Sequence, residues 1–195
     1  MGGGYSFGTF EILNFSPAPH RYSLFMEVPE KIVNRVAESG LITIDLEEFY
    51  PLEEKKSFDL KDYLFQGLLL KEKEFREALR NLDWEEFRDK NVAVFCSADA
   101  IIPVWAYMLV ATYLQAVAMN IVFGDKKTLI ATLILKNLSA ISGEDLIDKR
   151  VVIKGCGDLE IPEAAYIEIT IKLRPFVKSI MYGEPCSTVP VYKKK

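Results

Sequence analysis

Apolar positions in this chain alternate between two spacings. From Glu27 onward Pro29 suits a first helical turn, Ile32, Val33 and Val36 recur on one face, and Gly40 suits a stop, so a short amphipathic helix is expected there. Residues 41–44 (Leu-Ile-Thr-Ile) read as a strand, 56–60 as a second and 67–70 as a third. Phe75, Ala78, Leu79 and Leu82 stand at i, i+3, i+4 and i+7, which predicts an amphipathic helix over 71–82 with a charged outer face. Trp84 and Phe87 extend that packing through Arg88.

The second half contains an internal repeat. Slid by 59 positions without a gap, residues 89–125 lie over 148–184 with 11 of 37 pairs identical, among them Asp99/Asp158, Pro103/Pro162, Ala106/Ala165, Tyr107/Tyr166 and Gly124/Gly183. Each copy reads as a β-branched run, a turn with Asp, a Pro at the first helical turn, about four turns of helix and a second apolar run ending in Gly. Two βαβ units follow, with a further helix over 126–138 between them. The expected fold is α/β, a mostly parallel sheet built from two repeated βαβ units, with a small N-terminal α+β lobe. The corresponding boundaries are an unstructured extension over 1–25, the lobe over 26–88, the duplicated core over 89–186 and a basic tail over 187–195. With the first strands of the two copies side by side, the core strands would take the order 2-1-3-4.

Residues 100–124 carry no charge, a run longer than the usual signature of a membrane helix. Pro103, Thr112, Gln115 and Asn120 interrupt it, and its counterpart in the second copy carries Glu163, Glu168, Lys172, Arg174 and Lys178. A buried helix followed by a central strand is therefore expected, with no membrane span. Trp105, Met108 and Thr112 face away from Ala106, Val110 and Leu114, so the helix is apolar on both sides. Residues 27–90 or a second subunit must cover the other side, and a homodimer is expected.

Composition narrows the class. The chain has 195 residues, of which 50% are apolar and 27% charged, with net charge −4; this is ordinary globular composition, which excludes a fibre or a disulfide miniprotein. Three cysteines suit no secreted disulfide framework, and no basic segment followed by a short apolar run opens the sequence, so a cytoplasmic protein with reduced thiols is expected. The 27–90 segment is net acidic and 91–195 slightly basic, without the clustered basic face of a nucleic-acid binder. Lys193, Lys194 and Lys195 read as a solvated terminus. Residues 1–25 show no sustained period; Met1, Gly2 and Ser6 match the short myristoylation pattern, and Met26 suits a natural start.

The stretches SGLITIDLEEFYP (39–51), CSADAIIPVWAYM (96–108), VVIKGC (151–156) and KSIMYGEPCSTVPVYKKK (178–195) resemble a bacterial family catalogued as domain of unknown function 2480. The resemblance spans roughly residues 27–195. It implies no established activity; it does imply a gene context of iron–sulfur cluster assembly, and so iron–sulfur assembly proteins as partners.

Candidate chemistry centres on the thiols. Cys96 and Cys156 end the first strand of each copy and Cys186 follows the last strand, so all three are expected at one carboxyl edge of the sheet, with Cys96 and Cys156 flanking its switch point. Neighbouring strands about 4.8 Å apart allow two thiols to share a metal at Zn–S lengths of about 2.3 Å. The leading expectation is a zinc ion or iron–sulfur cluster on Cys96, Cys156 and Cys186, with Asp99, Asp158 or Glu184 as fourth ligand. The ordinary alternative treats the cysteines as small buried apolar residues and Asp99 and Asp158 as helix N-caps or turn acceptors. His20 is the only histidine, so no histidine triad or His-rich zinc site fits the core, and no dinucleotide or Walker loop follows a strand. Tyr107 and Tyr166 read as core aromatics with bonded hydroxyls. Two other classes remain: a thiol-dependent enzyme, its nucleophile activated at a helix N-terminus, and a protein-binding or assembly module.

Overall fold

The structure, a computed structural model, describes residues 40–155 and 157–195. The helix expected at 27–39, together with His20 and Met26, lies outside these residues.

Strand β1 (Leu41–Asp45) stops because the Asp45 carboxylate accepts the Glu47 N–H at 3.1 Å, turning the chain into a 3-10 turn over Leu46–Phe49. The device recurs after β2 (Lys55–Asp59), where Asp59 accepts the Lys61 N–H at 3.0 Å and starts the turn Leu60–Tyr63. It appears once more at Asp83, ahead of the turn Trp84–Phe87. Each aspartate precedes an aromatic residue by four positions. Between the second and third turns lie the short antiparallel strands β3 (Leu64–Phe65) and β4 (Leu69–Leu70), then helix α1 (Glu72–Asn81), which buries Phe75 and Leu79.

The remaining elements are β5 (Asn91–Phe95), α2 (Val104–Leu114), β6 (Asn120–Phe123), α3 (Lys126–Leu138), β7 (Arg150–Lys154), α4 (Glu163–Leu173), β8 (Ser179–Glu184) and β9 (Ser187–Lys193). Helices α2 and α4 are three turns long rather than four. Pro103 and Pro162, in extended conformation, occupy their N-cap positions. Asp99 and Asp158 stand four residues ahead of those prolines and cap neither helix.

The single sheet of order 2-1-3-4 is corrected. Described strands form a parallel sheet of order β2-β5-β6, a separate mixed sheet of order β1-β7-β8-β9 and the β3-β4 pair. Strands β5 and β7, expected side by side, lie in different sheets because β2 takes the free edge of β5 and β1 that of β7. Register repeats between the sheets: Lys55 lies opposite Asn91 and Leu41 opposite Arg150, with parallel β5-β6 and β7-β8 pairs beyond. The segments 41–45 and 55–59, expected in an N-terminal lobe, thus pair with core strands. Residues 187–193, expected in a basic tail, form β9 antiparallel to β8.

Alternation of side chains across β5 sets the layers. Val92 and Val94 pack with Phe58, Phe75, Leu79, Phe87 and the buried stripe Ala106, Val110 and Leu114 of α2. Ala93, on the other face, packs with Leu129 and Leu133 of α3. The other flank of α3, Ile134 and Leu138, joins the core that α4 closes over β7 and β8 with Ala165, Ile169 and Leu173. Trp105 is the side of α2 that α1 covers: its ring meets Phe75 at 6.2 Å and the Arg76 guanidinium at 5.3 Å. Met108 and Val104 stay exposed. Among the described residues no helix is long and apolar enough to cross a membrane.

Candidate functional site

Parallel strands end together, and in each sheet the aspartate that stops the edge strand sits at that end. In the three-stranded sheet, Asp59 accepts the Ser97 N–H at 3.0 Å and the Ser97 hydroxyl at 2.6 Å besides the Lys61 N–H. Burial opposes its charge, but the bonds from Ser97 and Lys61 outweigh that and hold the carboxyl below the usual range. Cys96 is half-buried here, with its Sγ 3.7 Å from the Ala98 carbonyl. Tyr107 packs edge-on to Phe123 at 5.2 Å; burial, then the charges of Cys96 and Asp59, push its hydroxyl pKa up.

In the four-stranded sheet the corresponding Asp45 pairs with Lys154 at 2.8 Å. That hydrogen bond, against the opposing effect of burial and with the charges of Asp45, Glu184 and Glu47, raises the lysine pKa. The Tyr166 hydroxyl donates to the Gly155 carbonyl at 2.9 Å and its ring meets Tyr182 at 5.7 Å. A Cβ at Gly155 would lie 2.6 Å from the Tyr166 hydroxyl, and one at Gly157 would run into the Glu47 carboxylate. Glu47 Oε1 is buried without a hydrogen-bond partner among the described residues.

The thiol constellation is not assembled by the described residues. Cys96 follows a strand of one sheet, whereas Cys186 is exposed in the turn between β8 and β9 of the other. Cys156 lies outside the described residues. Moving the sequence by 59 pairs Cys96 with Gly155 and Cys156 with Ser97, so the two cysteines are neighbours of equivalent positions rather than equivalent. Among the described residues no group of three or more His, Cys, Asp or Glu could hold a metal ion, Asp99 and Glu184 included. With β5 and β7 in different sheets, the ends of these two strands are not neighbours. Asp45, Glu47, Lys154 and Asp59 escaped the sequence reading, although Asp-Leu at 45–46 and at 59–60, each followed by an acid and an aromatic, was there to be seen.

A second feature is apolar. On α4, Ile167 and Ile171 are exposed, and with Tyr166, Tyr182 of β8 and Val191 of β9 they line an open groove of about 360 Å³. Ile153, Ile180 and Met181 complete its floor. The groove runs from α4 across β8 to β9.

No curated protein and no solved structure matches the chain. A family model described as protein of unknown function (DUF2480) matches residues 30–194, and the chain belongs to that family.

Proposed function

We propose that this protein is a binding and assembly module that seats an apolar segment of a partner protein in the groove between α4 and β9. The observation that carries this reading is the exposure of Ile167 and Ile171 over a floor of Tyr182 and Val191. Such a contiguous apolar strip on a folded surface marks an interaction site. Its openness favours a polypeptide over a small molecule, because small-molecule sites enclose most of their ligand. The two sheets, with matching register and strand–helix–strand order, support a duplicated scaffold in which only one half has gained the β9 extension.

A metal ion or iron–sulfur cluster on Cys96, Cys156 and Cys186 gains no support from the described geometry. Anaerobic purification with metal and sulfide analysis separates the readings. The binding-module reading expects far less than one metal per chain; one equivalent, lost on Cys→Ser at these positions, would overturn it. Selection of peptides from a random display library against the intact chain tests the groove directly. Recovered peptides should be apolar and should lose binding to Ile171→Asp; binders indifferent to that change would sink the groove as the site.

A further inference from the structure

We infer that the protein forms a two-fold dimer through the free edge of β6 and the adjoining outer flank of α2, the occupant of that edge being β6 of a second copy. The two sheets supply the comparison. Strand β8 has its outer edge covered by antiparallel β9, in register from Met181 opposite Pro190 to Glu184 opposite Ser187. Its counterpart β6 is the last strand of its sheet, and no described strand pairs with its outer edge.

Chemistry separates this edge from those of β2 and β9. Edge strands that must stay monomeric are blunted by lysine, proline or other charges. The opposite edge of the same sheet, β2, begins Lys55-Lys56 and ends in Asp59, and β9 carries Pro190 and Lys193. Strand β6 reads Asn-Ile-Val-Phe and belongs to the 100–124 run that has no charge at all. The equivalent stretch of the other half, 159–183, holds six charged residues.

The flank beside the edge is apolar as well. Phe123 at the end of β6 is 70% exposed, Val104 and Met108 on α2 are 73% and 64% exposed, and Ile101 and Met119 extend the strip. Together the five side chains present on the order of 700 Å², close to the roughly 800 Å² per partner of a stable interface. A two-fold axis sets this patch against the same patch of the second copy, so a surface without charge meets itself without repulsion. The same axis makes the paired β6 strands antiparallel, the arrangement that β9 already has on β8.

The intact chain should sediment as a dimer at tens of micromolar. Met108→Lys and Phe123→Lys should each weaken self-association by about 100-fold or more, since the axis buries every new charge twice. Ile167→Lys, in the α4 groove, should leave the dimer intact, so this test is independent of the groove reading. Amide exchange at 120–123 should slow as concentration rises. A folded wild-type monomer at 100-fold higher concentration overturns the inference, as does a dimer that survives Met108→Lys and Phe123→Lys but falls apart with Ile167→Lys.

Discussion

The two sheets share a plan and differ in what each does with its last strand. Both start from a parallel strand stopped by an aspartate, both carry a helix with a buried small-x-x-x-large stripe (Ala106, Val110, Leu114 against Ala165, Ile169, Leu173), and both set the helix tyrosine edge-on to an aromatic ring of the strand that follows the helix, Phe123 of β6 and Tyr182 of β8. The backbone repeats in detail: Asp89 and Asp148 adopt φ of 57° and 55°, and Gly124 and Gly183 adopt φ of 127° and 115°. Beyond β8 the chain folds back as β9, and the helix above it carries charge. Beyond β6 the chain leaves for α3, which covers the other face of the sheet, so the edge stays open beside an uncharged helix. The buried helix stripes match between the two sheets, whereas the outer edges and the exposed helix faces differ.

Removing residues 187–195 tests this difference most severely, because it gives β8 the open edge that β6 has. It deletes six paired positions and the packing of Tyr192 against Arg174 at 5.3 Å. At about 1 kcal/mol per hydrogen bond the loss should reach several kcal/mol in denaturant unfolding. A truncated chain of unchanged stability would mean that β9 is an accessory.

Leu114→Ala and Leu173→Ala compare the two cores. Both side chains are fully buried, so each change should cost about 3 kcal/mol, within the 2–5 kcal/mol usual for such cavities. Costs that differ by more than about 1.5 kcal/mol would show that one core collapses more readily than the other.

Asp59→Ala should cost about 2 kcal/mol at pH 7, since three donors lose a charged acceptor. The folded carboxyl titrates below its unfolded value of about 3.9, so the unfolded chain binds more protons in that interval. The stabilisation is therefore complete above about pH 4 and declines as pH falls through the folded pKa. Acid unfolding curves of wild type and Asp59→Ala should converge at low pH; parallel curves would contradict the assignment.

Gly155→Ala should cost about 1–2 kcal/mol, because the new Cβ displaces the Tyr166 hydroxyl from the Gly155 carbonyl. Its counterpart Cys96 already carries a side chain, so Cys96→Ala should change stability by less than about 1 kcal/mol. Equal effects at the two positions would erase this difference between the sheet ends.

Local elements were legible because their signals are local. Strands 91–95 and 150–154 and helix 126–138 occur at the expected bounds, set by β-branched runs and by the apolar period of Leu129, Leu133 and Ile134. The candidate site was less legible. Lys154 and Asp45 are 109 positions apart, and no spacing rule links them; only the β1-β7 register does. The thiols drew attention through residue type alone, and residue type carries no information about which strand lies next to which.

By itself, the amino-acid sequence determined strands 41–45, 91–95 and 150–154, helix 126–138, the repeated pattern over 89–184 and the absence of charge over 100–124, since periodicity, capping and composition act within a few residues. Tertiary structure alone decided that β5 and β7 part into two sheets, that β1 and β2 become their partners, and that β9 covers one edge and leaves the other open. A parallel strand offers two chemically similar edges, and the choice among apolar partners rests on the packing of α3 between the sheets, a sum over many distant contacts.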